Sequence, residues 1–220
     1  TASRQPQRAQ KYLQLATKIP ESFYGLMASE ALGLESLAAK QIRARKTDWN
    51  AIDGEKNVQI AIGLSEIGQF KLADETLRFQ ARIGASEKHA DIAKLAGALN
   101  LPGTQFWLAH YGPSRNFTNA TTRYPLPSWK PQGGWRVEPA LVFAHTLQES
   151  SFRTDVISSA GARGLMQVKP TTAKEMARKR GENLNSSDLD QPSVNLEYGQ
   201  SYLEKLKELP TTGGLLPKVI

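Results

Sequence analysis

The chain has 220 residues, of which 40% are hydrophobic and 22% charged, and it carries a formal net charge of +7. This length suffices for one large or two smaller domains, and no window approaches the roughly 20 apolar residues that a membrane-spanning helix needs. The absence of cysteine excludes disulfides and thiolate metal sites. The excess of lysine and arginine over aspartate and glutamate favours an anionic partner, namely nucleic acid, a membrane surface or an acidic polymer.

Residues 1–111 are predicted to form a string of short amphipathic helices joined by tight turns. In the most repeat-like unit, Lys56 to Ile83, the side chains of Ile60, Leu64 and Ile67 follow helical spacing and are expected to share one stripe. No strict period of about 34 residues aligns along this segment. The pattern therefore predicts an irregular array of helical hairpins, similar to a tetratricopeptide-like solenoid.

Residues 112–136 are rich in proline and glycine and also contain Tyr124, Trp129 and Trp135. Clusters of proline and glycine interrupt helices, so this stretch is predicted to be a connection. The aromatic side chains are interpreted as packing across the junction between two helical regions.

Residues 137–220 return to helical patterns and are predicted to form a second helical domain. One helix is expected to start at Glu138-Pro139 and to run through Phe152, and Asp190 and Pro192 are expected to precede a third. Between them, Thr172 and Glu175 fit a capping box at the start of the second helix. No stretch in this half alternates with period two for long enough to predict a strand.

Common catalytic motifs are absent from the sequence. It contains no phosphate-binding GxxxxGK[ST] loop, no GxSxG nucleophile elbow and no zinc-binding HExxH helix. The histidines His89, His110 and His145 are widely separated, and each is predicted to lie on a helix surface or in a core. Neither a metal site nor a cofactor is therefore expected.

Glu149 follows the run from Pro139 to Leu147, which is apolar on nearly all sides. A helix without a polar face is usually buried, and burial disfavours the ionised form of a carboxyl, as a general acid at neutral pH requires. The alternative is a glutamate at a helix end that pairs in solvent with Arg153. The helix pattern alone leaves these two interpretations equal.

The loop after Glu149 favours the catalytic interpretation. Residues 158–167 have the sequence SSAGARGLMQ, in which glycines such as Gly164 permit a positive φ or a close backbone approach. Met166 supplies an apolar wall, and Gln167 supplies an amide that can both donate and accept hydrogen bonds. Such a loop can fold back over the carboxyl and line a concave, polar site for sugar hydroxyls and acetamides.

These residues resemble the catalytic domain of the soluble lytic murein transglycosylases, and the match extends over residues 124–209. The first matching set surrounds the loop and consists of Glu149, Ser150, Gly164 to Gln167, Pro170, Thr171 and Ala173. The second set matches the family segment DPxxNxxxGxxYL and consists of Asp190, Pro192, Asn195, Gly199, Tyr202 and Leu203. GLMQ alone is a weak signal, whereas the ordered set is highly specific.

The resemblance implies a mainly α fold with three parts. An irregular helical-repeat, superhelical region over residues 1–111 leads through the connection at 112–136 to a lysozyme-like α-helical catalytic domain over 137–220. In the family, an AYNAG segment follows the helix with the Tyr-Leu pair. The chain stops at Ile220 before such a segment, so the catalytic domain is expected to be C-terminally truncated. Lys169 departs from the family, which often has an apolar residue there.

The family cleaves the β-1,4 bond between N-acetylmuramic acid and N-acetylglucosamine in peptidoglycan and closes the muramoyl product to a 1,6-anhydro ring. The resemblance therefore implies that Glu149 acts first as an acid and then as a base. The other implied site residues are Ser158, Met166 and Gln167 for substrate binding, and Ser150 and Gly164 as supporting residues.

Peptidoglycan strands and other cell-wall enzymes are the expected partners, and the expected location is the periplasm of the bacterial cell envelope. Neither nucleic acid nor a transmembrane segment is expected. Two alternatives stay open. One is a non-catalytic helical-repeat scaffold that binds the cell wall or protein partners. The other is a hydrolytic muramidase, for which Asp155 could serve as a second carboxylate.

Overall fold

The computed structural model describes residues 6–19, 22–34, 50–113 and 120–213. The helices in these ranges are α1 (Pro6–Ala16), α2 (Phe23–Ala31), α3 (Asn50–Asp53), α4 (Lys56–Glu66), α5 (Phe70–Ile83), α6 (His89–Ala98), α7 (Pro102–His110), α8 (Ala120–Arg123), α9 (Pro139–Ser150), α10 (Pro170–Lys179) and α11 (Pro192–Glu208). Short 3₁₀ turns precede α6 and α11, at Ser86–Lys88 and Ser186–Asp190. The predicted mainly α fold is confirmed. Across the described ranges, no helix has the length and apolar character needed to cross a membrane.

The helices α4 and α5 form a hairpin that shares a core with α6 and α7. Its buried side chains are Val58, Ala61, Ala73, Leu77, Ala81, Ile92, Ala93, Leu95, Ala96 and Leu108. The predicted stripe is packed only in part: Leu64 contacts this core, but Ile60 and Ile67 are 52% and 72% exposed, and Val58 and Ala61 are buried. Alanine at the contact lets two helices approach closely, so the packed face is the one that carries the small side chains.

The connection packs against the second helical region. Trp129 and Trp135 contact the buried cluster of that region, and the Trp135 ring meets the Phe143 ring edge-on at 5.5 Å between centroids. Phe106 of α7 contacts the same cluster, and the Ser128 amide donates a hydrogen bond to Asn100 Oδ1 at 2.8 Å. The two helical regions therefore share packed side chains across their junction.

The second region is built around α11, whose residues 194–201 are buried without interruption. This helix begins at Pro192 itself, whereas the sequence pattern placed Pro192 just before the helix. The predicted capping box on α10 is wrong, because that helix begins at Pro170 with Lys169 as its N-cap and no side-chain cap. Proline pre-sets the φ angle of the first helical position and lacks the amide hydrogen that would be unpaired there, so the helix starts before Thr172.

A buried carboxylate on α11 holds the connection in place. Glu197 is 4% exposed and lies 2.9 Å from both Arg136 and Arg180. It also accepts a hydrogen bond from the Gly133 amide at 3.0 Å. Burial alone would raise the pKa of Glu197, but the hydrogen bonds from Arg136, Gly133 and Arg180 outweigh it, so the pKa lies below its usual range.

We expect Glu197→Gln to lower the free energy of unfolding by about 2 kcal/mol at pH 7, because the buried side chain loses the charge-assisted hydrogen bonds that its carboxylate accepts from Arg136, Arg180 and Gly133. The folded pKa is depressed, so the Glu197 contribution is present above the usual glutamate pKa of about 4.3 and is lost as the pH falls below it. Urea unfolding at pH 7 and pH 3 measures both effects.

The matched control for this prediction is Glu204→Gln, which removes a half-exposed partner of the same Arg136. We expect the control to change stability by less than about 1 kcal/mol. A Glu197→Gln protein that is as stable as wild type at pH 7 would contradict the assigned role.

Candidate active site

A cleft of about 300 Å³ lies between the end of α9, the loop that follows it and the middle of α11. Its lining residues are His145, Glu149, Met166, Gln167, Val168, Lys169, Thr172, Gly199, Tyr202, Leu203 and Leu206. The cleft therefore brings together three of the residues that the sequence singled out, namely Glu149, Met166 and Gln167.

Glu149 occupies the last turn of α9. The chain leaves this helix through two consecutive residues with positive φ, Ser151 at 51° and Phe152 at 64°. Phe152 is 4% exposed and belongs to the core, and its packing there holds the backbone in this unusual conformation at the end of α9. This exit turns the following loop back towards the helix end, beside Glu149.

The Glu149 side chain is exposed, so the predicted burial by its own helix is not observed. The buried face of α9 carries Val142, Phe143, Thr146 and Ser150 instead. The alternative pairing with Arg153 is not observed either. The Arg153 guanidinium donates to the Ser150 carbonyl at 3.2 Å, and no ion pair or hydrogen bond joins the Glu149 carboxylate to another described residue. The carboxylate is thus open to a ligand in the cleft.

Ser150 lies beside Glu149 but on the buried side of the helix. Its hydroxyl donates to the Thr146 carbonyl at 3.0 Å, and the residue is 2% exposed. The Ser150 hydroxyl is therefore engaged within the last turn of α9, and the residue does not line the cleft.

The backbone of the loop requires glycine at residue 164. Gly164 has a φ of 70°, which L side chains rarely adopt. A Cβ added there would lie 2.3 Å from Asn195 Nδ2 and 2.4 Å from the Leu189 carbonyl oxygen. The close approach of the loop to α11 therefore depends on the missing side chain.

Asn195 of α11 holds the loop through its side chain, and it is completely buried. Its Nδ2 donates to the carbonyls of Arg163 at 2.9 Å and Leu189 at 2.7 Å, and its Oδ1 accepts from the Met166 amide at 2.8 Å. Because both the nitrogen and the oxygen of this buried amide are hydrogen-bonded, Asn195 fixes the orientation of the loop as well as stabilising it. Sequence reasoning recognised Asn195 in a family segment but missed this role.

An ion pair adds a second attachment of the loop. Arg163 donates from Nε to Asp190 Oδ1 at 3.1 Å and from Nη2 to Asp190 Oδ2 at 2.6 Å. The backbone of Arg163 also forms isolated β-bridges with Ile157 and Val168. The bidentate pair fixes the orientation of both partners, since the planar guanidinium matches the carboxylate.

Met166 and Gln167 form the wall of the cleft next to Glu149. A Cβ on Gly199 would lie 2.2 Å from Met166 Sδ, so the glycine on α11 makes room for this side chain. Gln167 Nε2 donates to the carbonyls of Gly164 at 2.9 Å and Val156 at 3.3 Å. Its Oε1 has no partner among the described residues and is available as an acceptor.

Ser158 lies away from the cleft lining. Its hydroxyl accepts a hydrogen bond from the Ala162 amide at 3.0 Å, and its own amide donates to the Ala162 carbonyl at 2.9 Å. These bonds close a turn within the loop. Contact between Ser158 and a substrate stays a prediction from the resemblance.

Asp155, the candidate second carboxylate, also lies elsewhere. It lines a larger cleft of about 700 Å³ at the junction of the two helical regions, where it pairs with Lys71 of α5 at 2.6 Å. The hydrogen bond from Lys71 lowers the pKa of Asp155. In the described part of the chain, Glu149 is the one carboxylate that lines the smaller cleft.

His145 lies one helical turn before Glu149 and lines the same cleft. Its Nε2 is buried and has no hydrogen-bond partner among the described residues. The ranges that the structure describes contain no group of three or more histidine, aspartate or glutamate side chains placed to hold a metal ion.

Comparisons with known proteins point to one family. Residues 128–213 match the family model described as the transglycosylase SLT domain. Over 97 residues the chain is 37% identical to the endo-type membrane-bound lytic murein transglycosylase A of two Klebsiella pneumoniae strains, an alignment that covers 42% of this chain and 47% of each relative. The chain thus spans about half the length of the curated relatives it matches.

Solved structures share the fold. The 70 kDa soluble lytic transglycosylase of Escherichia coli matches with a TM-score of 0.71 and 19% identity, over 95% of this chain and 34% of that one. An inactive mutant of the lytic transglycosylase Slt from Pseudomonas aeruginosa matches with a TM-score of 0.63 and 24% identity, over 92% and 34%. The predicted mainly α fold agrees with these likenesses, and the division of the chain into successive parts stays a prediction.

Proposed function

We propose, from the match of residues 128–213 to the transglycosylase SLT domain model, that the protein is a lytic transglycosylase of peptidoglycan. It cleaves the β-1,4 bond between N-acetylmuramic acid and N-acetylglucosamine and releases products that end in a 1,6-anhydro ring. It acts in the periplasm of the bacterial cell envelope, on glycan strands and alongside other cell-wall enzymes.

One observation carries the choice of reaction. Among the described residues that line the cleft, Glu149 is the single carboxylate. Glycosidases that use water usually need two carboxyl groups, about 5 to 10 Å apart, across the scissile bond. Closure of a 1,6-anhydro ring needs no water, because the nucleophile is a hydroxyl of the substrate, so one carboxyl can act twice.

Glu149 first donates its proton to the glycosidic oxygen as the bond to the muramoyl C1 breaks. The carbonyl oxygen of the muramoyl acetamide then bonds to C1 and stabilises the positive charge that develops there. Next, the Glu149 carboxylate takes the proton of the C6 hydroxyl, and O6 attacks C1 and displaces the acetamide oxygen. Glu149 is protonated again, the ring is closed and no water is consumed.

The residues around Glu149 orient the strand for these steps. The exposed position of Glu149 at the helix end gives a glycosidic oxygen direct access to the carboxyl. Gln167 Oε1 can accept a hydrogen bond from a sugar hydroxyl or an acetamide N–H, since its Nε2 is held by the backbone. Met166 packs on α11 and presents an apolar surface to a sugar ring.

Digestion of purified peptidoglycan, with the products identified by mass spectrometry, tests the proposal. A lytic transglycosylase releases anhydromuropeptides, which are one water lighter than the reducing-end products of a hydrolytic muramidase. Reducing-end products alone would favour the muramidase. A protein that binds strands without releasing any product would favour the scaffold and exclude both enzymes.

We expect Asp155→Asn to keep the rate of anhydromuropeptide release within about twofold of wild type. Asp155 lies outside the cleft of Glu149, and its ion pair with Lys71 is exposed, so its loss costs less than about 1 kcal/mol. The initial rate of product release measures the effect, and Lys71→Met is the matched control for loss of the ion pair. A hundredfold loss in Asp155→Asn alone would restore Asp155 as a second catalytic carboxylate.

A further inference from the structure

The cleft of Glu149 contains a cation that the proposed reaction does not use. Of the described residues that line it, Glu149 is the one acidic side chain and Lys169 is the one lysine or arginine. Lys169 is exposed, so its ammonium group reaches the solvent at the rim of the cleft.

The backbone of Lys169 is held firmly. The preceding residue, Val168, exchanges two backbone hydrogen bonds with Arg163, each 3.0 Å long. Lys169 itself is the N-cap of α10, and its carbonyl accepts from the Ala173 amide at 3.0 Å. The lysine stem therefore starts from a fixed point, and only its flexible side chain remains to be ordered by a ligand.

The Lys169 ammonium has no acidic partner among the described residues. Other lysines of this chain do have one, such as Lys71 with Asp155 and Lys179 with Glu175. Glu149 shares the cleft with Lys169 but does not form an ion pair with it. The cleft thus presents an unpaired positive charge to whatever binds there.

We propose that Lys169 is a specificity-determining residue that binds a carboxylate on the side arm of the muramoyl sugar in the cleft. The inference rests on the proposed function, because it takes peptidoglycan as the ligand. In strands that carry stem peptides, this carboxylate belongs to the peptide. In strands without stems, it is the carboxylate of the lactyl group that the peptide leaves behind.

Charge and position both support this inference. A glycan backbone of N-acetylated amino sugars is neutral, so the anionic groups of the strand are on its muramoyl side arms. A rim lysine discriminates by attracting a carboxylate and by leaving a neutral side arm without a partner. An exposed pair of this kind changes affinity modestly, by about two- to fivefold, and the effect weakens with added salt.

The test compares wild type with substitutions of Lys169, each on an anionic substrate and on a neutralised form of the same substrate. Soluble peptidoglycan strands are compared with the same strands after carbodiimide coupling to ammonia, which converts carboxylates to neutral amides. For wild type we expect kcat/KM to be about two- to fivefold higher on the anionic strands. Lys169→Met and Lys169→Gln should lose this preference, and their unchanged Tm should show that they are folded.

The matched control is Lys174→Met, which removes the same charge from an exposed position of α10 outside the cleft. It should keep the wild-type preference. Strands stripped of stem peptides by an amidase identify the carboxylate. If wild type still prefers stripped anionic strands over their amidated form, the lactyl carboxylate is bound, and if not, a stem-peptide carboxylate is bound.

Three results would overturn the inference. They are a wild type without preference, a Lys169→Met protein that keeps the preference, and a loss of rate that is equal on anionic and amidated strands. The same comparison made by strand binding to the Glu149→Gln protein does not require turnover. Failure of the proposed function, seen as no anhydromuropeptides from wild type, is therefore distinguished from failure of the Lys169 inference.

Discussion

Glu149→Gln is expected to lower the rate of anhydromuropeptide release by about 1,000-fold, because one carboxyl supplies both the acid and the base of the proposed reaction. The amide can neither donate an acidic proton nor accept one from the C6 hydroxyl. The Glu149 carboxylate has no partner among the described residues, so the substitution should change the free energy of unfolding by less than about 0.5 kcal/mol. Product release followed by mass spectrometry, together with Tm, measures both effects.

The control for this prediction makes the same chemical change at the other end of α9. Glu138→Gln alters an exposed glutamate that caps the helix without a side-chain hydrogen bond and lies outside the cleft. It should keep wild-type activity. A Glu149→Gln protein that releases product at the wild-type rate would remove Glu149 from the mechanism and return the non-catalytic scaffold as the better interpretation.

A second large effect is expected from Gly164→Ala, which should destabilise the protein by about 4 kcal/mol and abolish detectable activity. The new methyl group would lie 2.4 Å from the Leu189 carbonyl oxygen, and backbone cannot give way as a flexible side chain can. The loop would have to move away from α11, and the hydrogen bonds of Asn195 would break with it. Urea unfolding and the rate of product release measure the two consequences.

Gly161→Ala separates the steric effect from the conformational one. Gly161 lies in the same loop and has a similar φ of 77°, but a Cβ there would meet nothing within 4 Å. Its substitution should cost about 1 kcal/mol, the usual cost of a left-handed alanine, and should preserve activity. Equal losses in the two variants would show that the approach of the loop to α11 is not what requires Gly164.

Local patterns were sufficient to predict much of the helical framework. Pro139 begins a helix as predicted, and Glu149 lies in the last turn of this helix. Pro192 begins the helix that it was expected to precede. Proline at a first helical position acts on its own φ angle and its own missing N–H, so this signal does not depend on the rest of the fold. The same argument explains the error on α10, which begins at Pro170 and therefore does not use Thr172 as its N-cap.

Burial was predicted less well than helix position. The stripe of Ile60, Leu64 and Ile67 has good helical spacing, yet of these three Leu64 alone contacts the core, and the structure buries Val58 and Ala61. Likewise, the apolar run before Glu149 suggested a helix buried on all sides, whereas one side of its last turn opens into the cleft. Periodicity shows that a helix has an apolar face, but which face is packed depends on the neighbouring helix.

The sequence by itself determined the helical class of the protein, the place of Glu149 at a helix end and the order of residues that resembles one enzyme family. The tertiary structure decided which of these residues meet. Met166, Gln167 and Lys169 lie beside Glu149 in the cleft. Asp155 pairs with Lys71 across the junction, and Asn195 is hydrogen-bonded to the loop at residues 163–166. These contacts join residues from about 17 to more than 80 positions apart, and their formation depends on how the helices pack, which no local pattern encodes.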